Sequence, residues 1–223
     1  MMRNPLFLYE TLDALASAGM LSPMPDIIKH NLASSIQLRE YQVQAFQNFI
    51  TYFENENLRN NNQVHTLFHM ATGSGKTIIM AGLILYLYTK GYRKFLFFVN
   101  QTNILEKTKL NFTDGKSSKY LFAETISYLG REIQIRPVIN FAGINRDSKD
   151  IHICFTSTQK LHLDLVAPGE NALTYEDFED DKIVFISDES HHVNTLTKKA
   201  TKVEEANRRS WEYSVMNAFS RNR

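Results

Sequence analysis

Residues 70–77 read Met-Ala-Thr-Gly-Ser-Gly-Lys-Thr and lie between two apolar segments, residues 64–70 and 78–88. The first segment has the length of a β-strand and the second that of a buried helix, so we expect a strand, a loop and a helix in this order. Loops of this composition at a strand-to-helix junction favour phosphate, because backbone N–H groups and the helix N-terminus attract an anion.

Each residue type in this loop has a chemical use. Small residues let backbone N–H groups close around phosphates, and here they are Thr72, Gly73, Ser74 and Gly75. The Lys76 ammonium can reach the β- and γ-phosphate oxygens, and the Thr77 hydroxyl can ligate Mg²⁺. The strict pattern G-x-x-x-x-G-K-[ST] has glycine where Met70 stands, so the match is incomplete. The loop predicts a site for a nucleoside triphosphate with Mg²⁺.

A second motif follows the apolar run 183–186, where Asp188 and Glu189 stand side by side. Ligands of open α/β sheets bind beyond the carboxyl ends of strands, which is where this acidic pair falls. Asp188 suits a role on the water shell of Mg²⁺, and Glu189 suits orienting and deprotonating the attacking water. A solvated acidic pair in a loop is the other interpretation of this motif taken alone. Together the two motifs favour a nucleotide hydrolase.

Composition limits the remaining function classes. The 223 residues are 43% hydrophobic and 12% aromatic with a net charge of +1, which describes an ordinary globular domain without a global attraction to nucleic acid or membrane. The single cysteine, Cys154, lies in an apolar run and is predicted to be a buried side chain, so a disulfide framework is excluded. The sequence carries no signal pattern or membrane-spanning stretch, and we expect a cytoplasmic protein.

Apolar runs alternate with helical patterns along the chain. Strands are expected at residues 64–70, 95–99, 138–141, 151–155 and 183–186, with helices from residue 39 to 53, 78 to 88 and 103 to 112. Continuous apolar strands that alternate with helices predict a mostly parallel sheet covered by helices on both faces. The acidic stretch 176–181 is expected to be a solvated loop before the last strand rather than a metal cluster.

Five segments carry a resemblance to a known family, and these are residues 38–42, 70–77, 97–102, 155–161 and 188–192. With them the chain resembles the first RecA-like motor domain of a superfamily 2 helicase or translocase, a P-loop NTPase fold. More narrowly, Met-Ala-Thr-Gly-Ser-Gly-Lys-Thr together with Asp-Glu-Ser-His-His resembles the ATP-dependent Res subunits of type III restriction enzymes. The resemblance covers most of the chain.

The resemblance implies roles for further residues. Gln42 resembles the glutamine that reads the adenine edge, since a side-chain amide donates and accepts at once. His191 resembles the histidine that couples the nucleotide site to a second motor domain. Polar residues after two strands resemble segments that grip the DNA backbone, namely Asn100, Gln101, Thr156, Thr158 and Gln159. Ordinary capping of the following helices would use the same residue types.

The resemblance also implies an organisation. Residues 1–35 are expected to form an N-terminal extension, and residues 36–223 the ATP-binding motor domain, which would end before a second motor domain. The implied function is that of a restriction subunit that acts on double-stranded DNA beside a methyltransferase subunit. Two alternatives remain open from the sequence: a DEAH-like helicase without a nuclease, and a short regulatory module that binds nucleotide without hydrolysis.

Overall fold

In the computed structural model the chain forms two compact units, residues 1–86 and 87–223. The structure describes residues 7–59, 63–99, 102–145, 147–179, 182–188 and 213–222. The helices are α1 (Leu8–Ser17), α2 (Asp26–Asn31), α3 (Glu40–Glu54), α4 (Glu56–Arg59), α5 (Lys76–Thr89), α6 (Thr102–Thr113), α7 (Thr158–Val166) and α8 (213–221). The strands are β1 (Lys94–Val99), β2 (Ile126–Tyr128), β3 (Arg131–Ile133), β4 (Ile135–Val138), β5 (Ile151–Ser157) and β6 (Ile183–Ser187), and a 3-10 helix covers Tyr175–Phe178.

The first unit is helical over the residues that the structure describes. Residues 76–86 of helix α5 belong to this unit. The helix is apolar on all sides and its residues 81–86 are buried, as expected for a helix surrounded by protein. Phe46 and Ile50 of α3 and Ile28 of α2 are almost fully buried. Helix α2 therefore packs into the unit. The predicted domain boundary at residue 35 stays a prediction.

The contact between α5 and its neighbours depends on Gly82. A Cβ at this position would lie 2.4 Å from Cζ of Phe46 and 3.2 Å from Cγ2 of Ile28. Both neighbours are fully buried, so neither can move aside into solvent. The glycine therefore sets how closely the helices approach.

Replacing Gly82 by alanine should lower the free energy of unfolding by about 1 to 3 kcal/mol, although alanine is normally the better helix former. Urea denaturation of the purified chain measures this difference. Gly115→Ala is the matched control, because a Cβ there meets no atom within 4 Å. Equal stability of the Gly82→Ala variant and the original chain would contradict the close packing.

The second unit contains the sheet. Its strand order is β4-β5-β1-β6, with all three neighbouring pairs parallel, and β2 and β3 form a separate antiparallel hairpin. Strand β1 is buried along its whole length, as is typical of a strand covered on both faces. The predicted strands at 95–99, 151–155 and 183–186 are confirmed, each extended by one or two residues.

Helices cover both faces of this sheet. On one face Phe97 and Phe155 pack against Phe112 of α6, with ring centroids between 5.5 and 6.0 Å apart. On the other face Leu96 joins a cluster with Leu161 of α7 and with residues of α8. The side chains of β1 thus alternate between the two helical layers. This architecture is the α/β fold with a mostly parallel sheet that the sequence predicts.

Cys154 belongs to the second of these layers and is 2% exposed. Its thiol donates a hydrogen bond to the carbonyl of Ile139 at 3.1 Å. Burial raises the pKa of the thiol to about 12, which keeps it protonated at neutral pH. The prediction of a buried, unpaired cysteine is confirmed.

Segment 64–70, predicted to be a strand, is not a strand in the structure. Its side chains alternate between half-buried and exposed, and Phe68 packs on Phe49 with ring centroids 5.9 Å apart. Alternation of this kind belongs to an extended chain, but a strand also needs a hydrogen-bonded neighbour. The strands of the described chain all lie in residues 87–223, so the first unit offers none to pair with among its described residues.

Two further segments differ from the predictions. The strand expected at 138–141 lies three residues earlier, at Ile135–Val138, and it contains Pro137. It is the edge strand beside β5, where a proline is tolerated. The acidic stretch 176–181 was predicted to be a solvated loop, but its residues 176–178 lie in the 3-10 helix. Glu176 and Glu179 are exposed as expected, whereas Phe178 is fully buried.

Within the described ranges, the helices are all too short or too polar to cross a lipid bilayer.

Candidate nucleotide-binding site

Residues 70–77 form the loop that precedes α5, and the helix begins at Lys76 itself. Gly73 and Gly75 have φ angles of +78° and +87°, in the left-handed region that side chains other than glycine disfavour. Thr72 and Gly73 are exposed, while Ser74, Gly75, Lys76 and Thr77 are half-buried. The two glycines therefore allow the tight turn that brings successive backbone groups into one short loop.

The Lys76 ammonium lies over the loop itself. Its Nζ donates to the carbonyl oxygens of Met70 at 3.2 Å and Ala71 at 3.4 Å. Both acceptors are neutral, and an anionic oxygen would form a stronger bond with the ammonium group. The only side-chain cation of the loop is thus in place for an anion bound there.

The start of α3 is anchored on the same loop. Gln42 is 3% exposed, its Oε1 accepts from the backbone N–H of Arg39 at 2.9 Å, and its Nε2 donates to the carbonyl of Ser74 at 2.9 Å. The Tyr41 hydroxyl donates to the same carbonyl at 2.8 Å. A Cβ on Gly75 would lie 2.4 Å from Gln42 Nε2, so the gap between α3 and the loop admits only glycine.

The amide of Gln42 uses one N–H and one lone pair in these two bonds. A carboxamide has two N–H groups and two lone pairs on oxygen, so one of each is left over. Contact with an adenine edge stays a prediction for this residue. What the structure adds is that Gln42 sits directly against the phosphate-loop sequence.

Asp188 stands in the second unit, at the carboxyl edge of the sheet. Its backbone N–H donates to the carbonyl of Phe98 at 3.3 Å, which continues the β1–β6 ladder by one residue. The register pairs Val99 of β1 with Ser157 of β5, so these strands end side by side. The predicted metal residue Asp188 and the residues after β5 therefore share one edge of the sheet.

The polar residues at the end of β5 differ in exposure. Thr156 and Thr158 are 2% and 1% exposed, whereas Gln159 is exposed. The Ser157 hydroxyl accepts from the backbone N–H of Lys160 at 3.1 Å, which caps α7. Of this predicted set, Gln159 is the one that presents its side chain to solvent.

Several predicted site residues fall outside the described ranges, namely Asn100, Gln101, Glu189 and His191. Conversely, the contact of Tyr41 with Ser74 was not part of the sequence-based site. The signal available for it was the position of Tyr41, directly before Gln42, on the helix that precedes the loop. A hydrogen bond between residues 33 positions apart cannot be read from spacing alone.

Comparison with known proteins identifies a family and a relative. Residues 35–220 match the family described as "Type III restriction enzyme, res subunit". Over 212 residues the chain is 40% identical to a Haemophilus influenzae protein described as "Probable type III restriction-modification enzyme HindVIP Res subunit". The match covers 86% of this chain and 40% of that relative, so the chain spans less than half of the relative's length. No solved structure matches the chain. Since the family match covers most of its residues, the chain belongs to the family of type III restriction enzyme res subunits.

Proposed function

We propose that this chain is the ATP-binding part of a restriction subunit that couples ATP hydrolysis to movement along double-stranded DNA and to DNA cleavage. The observation that carries the proposal is the loop 70–77. It has two glycines with left-handed backbone angles and an ammonium group that donates to its first two carbonyls, and it leads into a helix whose residues 81–88 are buried. Phosphate is the ligand that such a loop binds best.

The residues of the loop fit a bound nucleotide with Mg²⁺. Position 75 has no room for a side chain beside Gln42, which leaves the backbone itself to face a ligand. The Thr77 hydroxyl of the loop is a hard oxygen donor, the class that Mg²⁺ prefers, and we assign the metal to it. Asp188 belongs to the other unit, and its role on the water shell of Mg²⁺ stays the prediction made from its motif. When bound, Mg–ATP supplies the phosphoanhydride bond whose hydrolysis drives the motor.

The residues of the chain are assigned separate roles in ATP hydrolysis. Lys76 neutralises charge on the β- and γ-phosphates, and the loop N–H groups orient them. Glu189 accepts a proton from the attacking water, the role predicted from the acidic pair that follows the last strand. His191 relays the state of this site to a second motor domain supplied by the longer polypeptide.

Contact with DNA is assigned to the carboxyl edge of the sheet. Gln159 is exposed there, and its amide can bond to phosphate oxygens without reading sequence. Such contacts suit a motor that moves along DNA of any sequence. Recognition of a particular site is assigned to the methyltransferase subunit that works beside it.

The experiment compares ATP hydrolysis by this chain and by a longer polypeptide in which the second motor domain that we propose follows this chain. We expect double-stranded DNA to stimulate the longer polypeptide with its methyltransferase subunit. This chain alone should hydrolyse about 10³- to 10⁵-fold more slowly, because arginines of the second domain are worth that much in rate. A phosphate-release assay measures both rates.

Two results would contradict the proposal. Fast DNA-stimulated hydrolysis by this chain alone would show that no second domain is needed. Absence of DNA-stimulated hydrolysis in the longer polypeptide, with its methyltransferase subunit present, would remove the motor function. ATP hydrolysis and strand displacement without cleavage of DNA would instead support a helicase that lacks a nuclease.

A further inference from the structure

We propose that Tyr41 is a positioning residue for the phosphate groups of the nucleotide. With Gln42 it fixes the peptide between Ser74 and Gly75, so that the Gly75 N–H is presented to the phosphates. The inference rests on the proposed nucleotide function of loop 70–77. It adds a residue that acts on the ligand through the backbone of the loop.

Two donors from the first turn of α3 converge on one carbonyl oxygen. The Tyr41 hydroxyl lies 2.8 Å and Gln42 Nε2 lies 2.9 Å from the oxygen of Ser74. A carbonyl oxygen has two lone pairs, so these two bonds saturate it. The peptide that follows Ser74 is therefore held at its oxygen from the side of α3.

The orientation of this oxygen also sets the orientation of an N–H group. The described chain contains no cis peptide bond, and in a trans peptide the C=O and N–H groups point in opposite directions. Because the Ser74 oxygen points at α3, the Gly75 N–H points away from α3. That side of the loop is where we place the phosphates.

The peptide between Ser74 and Gly75 needs these hydrogen bonds because it lies in a glycine-rich part of the loop. Gly73 and Gly75 flank Ser74, and glycine permits far more backbone conformations than other residues do. The same freedom that lets the loop turn would let the 74–75 peptide rotate. After a rotation of 180°, a carbonyl oxygen would face the phosphate oxygens and repel them. Hydrogen bonds from α3 oppose this rotation.

The hydrogen of the Tyr41 hydroxyl is used within the protein. The hydroxyl donates it to the Ser74 carbonyl and also accepts from Nη1 of Arg39 at 3.4 Å. A hydroxyl has one hydrogen to donate, and here that hydrogen is committed to the loop. Tyr41 is therefore expected to influence the phosphates and not to read the base.

The test is the Tyr41→Phe variant of this chain, which keeps the ring and removes only the hydroxyl. Dissociation constants are measured for Mg–ATP, Mg–GTP and inorganic tripolyphosphate with Mg²⁺. We expect binding of ATP and of tripolyphosphate to weaken by a similar factor of about three- to tenfold, with an unchanged ratio of ATP to GTP affinity. Tyr52→Phe, about three turns further along α3, is the matched control and should bind as the original chain does.

Thermal melting of both variants separates this role from a general loss of stability. A similar melting temperature together with weaker tripolyphosphate binding supports the proposal. Unchanged tripolyphosphate binding by Tyr41→Phe, or a loss confined to ATP with a changed ATP to GTP ratio, overturns it and leaves the nucleotide function standing. If the original chain binds neither Mg–ATP nor tripolyphosphate, the proposed nucleotide function itself fails.

Discussion

A Lys76→Ala variant of this chain should bind Mg–ATP between about thirty-fold and a few thousand-fold more weakly than the original chain. Removing one member of a close charge pair costs about 2 to 5 kcal/mol, and each 1.4 kcal/mol is a factor of ten. Lys76 Nζ lies within 3.4 Å of two loop carbonyls, so the substitution removes the positive charge of the loop. Calorimetric titration of the chain with Mg–ATP measures the loss.

Two variants accompany this experiment. Lys107→Ala removes an exposed lysine of α6 and should leave the affinity unchanged, which shows that overall charge is not responsible. Lys76→Arg keeps the charge but replaces a compact ammonium with a planar fork, so it should restore only part of the binding. If Lys76→Ala binds Mg–ATP as tightly as the original chain does, the ligand is held elsewhere.

The second large effect is expected from Glu189→Gln in the longer polypeptide. Loss of a general base typically slows a reaction by about 10² to 10⁴, and the amide keeps nearly the same shape. DNA-stimulated ATP hydrolysis should therefore fall by that factor while ATP remains bound. A filter-binding assay for retained ATP, run beside a single-turnover hydrolysis assay, separates binding from chemistry.

Glu176→Gln is the control for this change, since Glu176 is an exposed acidic residue of the stretch before β6. It should hydrolyse ATP at the original rate. Unchanged hydrolysis by Glu189→Gln would remove Glu189 from the proposed role and would favour a solvated acidic pair after β6.

The sequence was most informative for segments that are rich in apolar residues. Strands β1, β5 and β6 are mainly apolar, and each was predicted to within two residues of its observed ends. Helix α5 was also predicted, because apolar residues over more than three turns describe a helix buried on all sides. In these elements the local pattern and the tertiary environment agree.

The sequence was least informative where a strand or turn depends on the segment that lies beside it in the fold. Segment 64–70 has the composition of a strand but does not form one in the structure. Strand β4 includes Pro137, which a local pattern excludes and an edge position tolerates. The β2–β3 hairpin turns through Leu129 at a φ of +51° and Gly130 at +73°, and leucine is not a residue that signals such a turn.

In the candidate site, too, the local sequence predicts some features and tertiary contacts determine others. Glycine, lysine and threonine at fixed spacing predict the loop, because each residue has its own chemistry there. The anchoring of Ser74 by Tyr41 and Gln42 joins residues more than thirty positions apart, and the sequence gives no spacing rule for such a contact. Tertiary hydrogen bonds of this kind become visible only in the folded structure.

The central claim is that loop 70–77 holds the phosphates of ATP, and residue-resolved hydrogen exchange of this chain with and without Mg–ATP tests it most directly. Bound phosphates accept hydrogen bonds from loop N–H groups, so the account predicts slower exchange at residues 72–77 when Mg–ATP is present. Protection should be absent with Mg²⁺ alone. Saturable binding of Mg–ATP with unchanged exchange throughout residues 70–78, or with protection only in residues 87–222, would contradict the account.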